Sequence, residues 1–166
     1  MLKYSDGYYL EGQDYWRLAG IFDDVWLYAT PAVRIFDWQV ITEFDETYTD
    51  SQLKVRVKIK DYLNKQGGKY GLKAYLKDKT GKKICNFSAT PFEMDAAEKT
   101  IPLHTLVQNP RKWTAETPEL YTLCLELSDH AGLLKDKIET VVGSQKTAIN
   151  EAAFYLNEFP LKVHAQ

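Results

Sequence analysis

The chain is rich in carboxylates, with 23 Asp and Glu against 21 Lys and Arg and a formal net charge of −2. Two carboxyl groups facing each other across a sugar ring could hydrolyse a glycosidic bond. One would need a raised pKa to donate a proton, and the other would act as base or nucleophile. With so many acids some pair must lie close, so abundance alone selects none. The histidines, His104, His130 and His164, are scattered. They lack the i, i+4 spacing or the Cys/Asp clustering of a metal site, and solvated side chains are expected. Cys85 and Cys124 have neither metal-ligand spacing nor a disulfide-rich context, so two free, half-buried thiols are expected. No G-x-S-x-G elbow and no Gly-rich loop opening a helix occurs. No catalytic residue, metal or cofactor is therefore assigned within this stretch.

The elements that would position any such group are β-strands. Leu53, Val55, Val57 and Ile59 alternate strictly with Lys54, Arg56, Lys58 and Lys60, the pattern of a half-buried strand. Phe36, Trp38, Val40 and Phe44 alternate with Asp37, Gln39, Ile41 and Glu43, which places the bulky set on one face. Leu72, Ala74 and Leu76 resume the period of two, and so do Tyr121, Leu123, Leu125 and Leu127. Asn64–Gly68, Asp78-Lys79-Thr80-Gly81 and Asp129-His130-Ala131-Gly132 read as loops and turns, with short return strands over 82–90 and 133–142. Ala96–Lys99 hints at a helical turn, but Pro102 follows too soon for a helix to grow, and 99–107 is read as a strand. Asn109–Glu119, with Pro110 and Pro118 around Trp113, should cross between sheets without ladder bonds. About seven short strands with turn signals between them argue a two-sheet sandwich, and no convincing ten-residue helix appears. Tyr121 opens a strand just after a corner and is either a tyrosine corner or a core-edge Tyr.

Composition is ordinary for a globular chain, 45% hydrophobic and 27% charged. A near-balanced charge gives no reason to expect nucleic acid or an anionic membrane as partner. No apolar run approaches the roughly 18 residues needed to span a bilayer. Met1-Leu2-Lys3 is not followed by the apolar core of a signal peptide.

Two motifs carry a resemblance. GQDYWRLAGIFDDVWLYATP (Gly12–Pro31) lies in the densest aromatic run, with Tyr8, Tyr9, Tyr15, Trp16, Phe22, Trp26 and Tyr28. It is similar to the segment that ends the sugar-binding jelly roll of family 2 glycoside hydrolases, especially the large β-galactosidases. NPRKWTAETPELYTL (Asn109–Leu123) resembles the same family's Asn-Pro-x-x-Trp-x-x-Glu-x-Pro-x-Leu-Tyr pattern. Two long motifs in the family's order are far more specific than either alone.

The resemblance implies an all-β fold: an immunoglobulin-like two-sheet β-sandwich at 31–144, flanked by segments of neighbouring domains. Residues 1–30 would end the preceding jelly roll. Residues 145–166, read as two tight hairpins, would lead toward a catalytic (β/α)₈ barrel. Asn150-Glu151 and Asn157-Glu158 resemble the Asn-Glu that carries the acid in related barrel enzymes, yet both fall in predicted hairpin turns and are read as turns. The catalytic glutamates would lie beyond Gln166. Of this chain's residues, Asp14 would reach the sugar pocket and help hold sodium in the full-length enzyme; alone it supplies too few oxygens to bind an ion. Sodium and magnesium would belong to that longer enzyme, as would a compartment in the bacterial cytoplasm or periplasm. Trp16, Arg17, Trp113, Glu116 and Tyr121 carry the structural motifs, Trp113 plugging one end of the sandwich. The implied partners are the jelly roll and the barrel, and the aromatic face of 7–28 is expected to lie on the sandwich, to pair with the C-terminal hairpins or to bury against another copy of the chain. The chain departs from the family at Asp23, where Arg is common, at Gly143-Ser144-Gln145, where Gly-Phe-Arg is usual, and at Asn157-Glu158, where Asn-Gly is usual. The expected role is a non-catalytic spacer; the alternatives are a carbohydrate-binding module, through exposed aromatic rings, or a protein-interaction sandwich.

Overall fold

The computed structural model describes residues 21, 23–64, 67–87, 91–150, 153–157 and 159–161. The chain divides into two units, Met1–Thr30 and Pro31–Gln166. In the first, the described residues form no regular element, and Ile21, Val25, Trp26, Leu27 and Tyr28 are exposed. Asp14, Trp16, Arg17 and most of the aromatic run lie outside the described residues, and so does the expectation of how 7–28 packs.

The second unit is built from strands, and no helix occurs among its described residues. Strand β1 (Val33–Phe44), β2 (Ser51–Asp61) and β6 (Glu98–Val107) form one antiparallel sheet in the order β1-β2-β6. The facing sheet has the order β4-β3-β7-β8, from β3 (Gly68–Lys77), β4 (Lys83–Asn86), β7 (Leu120–Asp129) and β8 (Leu134–Gly143). A short β5 (Phe92–Met94) pairs with the start of β3. Hairpins within each sheet, combined with the return of the chain from the second sheet to pair β6 with β2 in the first, give the strand order of an immunoglobulin-like sandwich. A separate three-stranded sheet, β9 (Thr147–Asn150), β10 (Ala153–Leu156) and β11 (Phe159–Leu161), forms from two successive hairpins.

The core lies between the two large sheets. Leu53, Val55, Val57 and Ile59 of β2 meet Leu72, Ala74 and Leu76 of β3 and Leu123, Leu125 and Leu127 of β7, all buried. The period of two in the sequence becomes a single apolar face per strand, each such side chain contributing about 1.5–3 kcal/mol on burial. Two turns use one device. Asp78 and Asp129 each accept N–H bonds from their own loops through a carboxylate oxygen, at 2.9–3.0 Å. Gly81 and Gly132 then take φ of 82° and 81°, where an L side chain would be strained. Pro102 lies in β6, which is paired only with β2 within its sheet, the edge position where a missing N–H is tolerated.

Two expectations need correction. Phe36 does not share the inner face with Trp38: the β1–β2 register shifts between Ile35 and Asp37, and Phe36 is the extra residue. A bulge reverses the alternation, so Ile35 turns into the core and Phe36 is 41% exposed. At that bulge the Ile35 N–H donates to Asp136 Oδ2 of β8 at 2.9 Å, tying one sheet to the other. The second correction concerns Cys124, which is fully buried, whereas Cys85 is half-buried; both are free thiols. Cys124 faces away from the core, but β7 lies between β3 and β8, and their side chains close over it.

Candidate functional site

Three of the motif residues are brought to one end of the sandwich, where β7 begins, β8 ends and the hairpin sheet starts. Asn109 takes a left-handed backbone (φ 41°), and its N–H donates to Asp50 Oδ1 at 2.9 Å. Pro110 is buried. One residue on, the Arg111 N–H donates to the Tyr121 hydroxyl at 2.7 Å. Tyr121 is itself buried at the start of β7, so its ring packs in the core while its hydroxyl secures the corner upstream. That is the geometry of a tyrosine corner.

Trp113 is half-buried and fixed at both ends of its peptide. Its N–H donates to the Ser144 carbonyl at 2.9 Å, beside a parallel bridge between Lys112 and Ser144. Its side chain lies over Gly143, where an added Cβ would stand 3.0 Å from both Cβ and Cγ of Trp113. The ring thus occupies the space a side chain at 143 would need. Glu116 is exposed in the same loop. Nearby, Glu119 is bracketed by Arg111 at 3.3 Å and Lys79 at 3.4 Å. The Arg111 hydrogen bond is the main cause of its lowered pKa.

Asn157 was read as a turn residue and proves to be a tie as well. It is 5% exposed, with φ of 52°. Its N–H donates to the Lys146 carbonyl at 2.7 Å, and its Oδ1 accepts from the Lys146 N–H at 3.0 Å. Its Nδ2 donates to the Trp113 carbonyl at 2.7 Å. One carboxamide therefore joins the β10–β11 turn, the strand entering β9 and the Trp113 loop. The sequence signal was present, since Asn is favoured in such a turn, but nothing local revealed the distant partners.

A groove of about 550 Å³ runs beside this end between β4 and β6, with Ile84 and Leu106 among its apolar walls and Glu119 and Arg111 at its rim. Its two carboxylates, Asp78 and Glu119, both have lowered pKa values, which suits ion pairs and hydrogen-bonded turns and not proton donation. The same holds elsewhere: each described carboxyl group that departs clearly from its ordinary pKa departs downward. Glu139 goes furthest, to about 2, held by hydrogen bonds from Lys137, Lys77 and the Cys124 thiol. His104 lies within β6 and His130 in a turn, both exposed; His164 and Asp14 lie outside the described residues. Among the described residues no three His, Cys, Asp or Glu side chains gather as metal ligands.

Comparison with known proteins gives this arrangement a family. The model of glycosyl hydrolases family 2 matches residues 33–144. A β-galactosidase of Priestia megaterium is 33% identical over 155 residues, which is 93% of this chain and 15% of that protein. The crystal structure of a glycosyl hydrolase family 2 member from Bacteroides cellulosilyticus DSM 14838 superposes with a TM-score of 0.72 at 18% identity, over 80% of this chain and 18% of that one. Bacteroides uniformis β-glucuronidase gives 0.67 at 18% identity, over 80% and 17%. At such identities the two structures attest the fold, while the family match and the β-galactosidase attest kinship. The chain belongs to family 2 of the glycosyl hydrolases.

Proposed function

We propose that this chain is the immunoglobulin-like spacer of a longer β-galactosidase-type enzyme, holding a preceding sugar-binding domain and a following catalytic barrel in register. Residues 1–30 are the end of the preceding domain, 31–144 the sandwich and 145–166 the hairpin lead into the barrel. The observation that carries this reading is Asn157, which anchors the hairpin sheet to Trp113 and Lys146 and so fixes the direction in which the chain leaves the sandwich. A spacer needs a rigid exit more than it needs a pocket. The chain's span of 15% of its β-galactosidase relative supports the same view. The catalytic glutamates are placed beyond this stretch, and Asp14 acts on sugar and sodium only once the remaining domains are present.

The test is an assay of the purified chain on an aryl β-galactoside and an aryl β-glucuronide, alongside calorimetric titration with galactose and lactose. Neither turnover above background nor heat of binding is expected. Turnover would end the spacer reading, and a micromolar sugar ligand would favour a carbohydrate-binding module.

A further inference from the structure

Arg34 of β1 stands opposite Lys60 of β2 in the antiparallel ladder, a like-charge pairing that destabilises a sheet unless something compensates. Lys60 is compensated by Glu98 at 2.8 Å, which also lies 4.0 Å from Lys58. Asp37 faces Lys58 in the register. Of the three cations and two acids grouped there, Arg34 is the charge left over. Its Nη2 donates to the Tyr62 hydroxyl at 3.3 Å, and its Nε is enclosed without an acceptor. A guanidinium has five N–H donors and seeks a planar pair of oxygens; among the described residues no carboxylate supplies them.

The surroundings hold this cation in place. The guanidinium carbon lies 5.7 Å from the Phe36 ring centroid and 5.4 Å from that of Tyr62. Lys60 Nζ lies 4.9 and 5.3 Å from the same two rings. Ring faces attract cations but neutralise nothing. Phe36 and Tyr62 are 41% and 50% exposed, and Leu63 is exposed beside them. The bulge that turns Phe36 outward therefore builds an apolar frame around an unneutralised guanidinium.

We propose that Arg34, with Lys60 beside it and Phe36 and Tyr62 framing both, forms a carboxylate-binding site for a ligand whose acid group is attached to an apolar face. The carboxylate accepts from the free edge of the guanidinium, and the carrier packs on the two rings. Two carriers present this chemistry: a free sugar acid, through the C–H face of its ring, and an acidic side chain on a protein surface. The inference does not depend on the spacer reading, because it concerns the outer face of the β1-β2-β6 sheet, away from the hairpin end.

The experiment follows amide shifts of the ¹⁵N-labelled chain during titration with sodium D-glucuronate and, separately, with N-acetyl-aspartic acid amide. D-glucose and sodium chloride at matched ionic strength serve as controls. Saturable shifts at residues 34, 36, 60 and 62 are expected with one or both acids and with neither control. The acid that saturates at the lower concentration identifies the carrier. Arg34→Gln should weaken binding about tenfold or more, the scale of a hydrogen bond to a charged group. Arg56→Gln, which removes an exposed cation of the neighbouring strand β2, should leave it unchanged. No shift with either acid, equal shifts with glucose or chloride, or full binding by a folded Arg34→Gln variant would each overturn the proposal. Equal weakening by Arg56→Gln would do so too, since it would mean general charge attraction.

Discussion

Replacing Asn157 probes two physical effects in one residue. Asn157→Ala removes the bond donated to Trp113 O and the acceptor for Lys146 N–H, both made where the side chain is 5% exposed. At about 0.5–1.5 kcal/mol each, their loss costs about 1–3 kcal/mol. The backbone at φ 52° adds about 1 kcal/mol, because Ala tolerates the left-handed region less well than Asn. The expected destabilisation is thus about 2–4 kcal/mol, a large share of the roughly 5–15 kcal/mol of an ordinary domain. Asn157→Gly loses the same two bonds but adopts the conformation freely, so it should be about 1 kcal/mol less damaging than Ala. Urea denaturation at neutral pH measures the global effect, and hydrogen exchange at the Lys146 amide measures local release of the hairpin. If Asn157→Ala changes neither the urea midpoint nor the Lys146 exchange rate, the carboxamide does not hold the hairpin and the argument from Asn157 to a rigid exit fails.

Other consequences are checked more simply. Tyr121→Phe keeps the ring and deletes the hydroxyl that receives the Arg111 N–H. It should cost about 1–2 kcal/mol, seen as a lower melting temperature with an unchanged far-ultraviolet spectrum. Gly143→Ala puts a methyl group 3.0 Å from two Trp113 atoms. The overpacking should cost about 1–3 kcal/mol and shift the tryptophan emission, whereas an unchanged melting temperature would mean that Trp113 moves aside freely. Glu139, with its pKa depressed from 4.5 to about 2, contributes stability that is present above pH 4.5 and lost as pH falls through 2. Glu139→Gln should therefore lower the melting temperature modestly above pH 4.5, where the contribution is present, and flatten the acid limb so that the two curves meet as pH falls toward 2.

How far the sequence foretold the structure varied from strand to strand, for physical reasons. The alternation from Leu53 to Ile59 could be read directly because β2 has a partner on each side and one buried face throughout. In β1 the same rule failed at Phe36, since a bulge inserts one residue without any mark in composition. The missed β5 is only Phe92–Met94, too short for a period to declare itself, though Met94 is fully buried. Cys124 was expected to be half-buried because neither spacing nor context gave it a partner; the cover provided by the neighbouring strands is a tertiary fact. At the hairpin end, Asn157 showed its turn role through residue type, but its bond to Trp113 spans 44 positions and no local pattern encodes it. The Arg34 cluster was hidden for the same reason: the charges were visible, but their register and the rings beneath them were not.

The contrast between the two thiols supplies a built-in clock. Cys124 is sealed beneath the β3–β7–β8 surface, and burial is the first cause raising its pKa. An alkylating reagent in native buffer can meet the half-buried Cys85 without the sheet parting, although burial raises that thiol's pKa too, and can reach Cys124 only when the sheet parts. The second, slow alkylation event therefore times the opening of the sandwich under conditions where the population of opened molecules is too small for any optical signal.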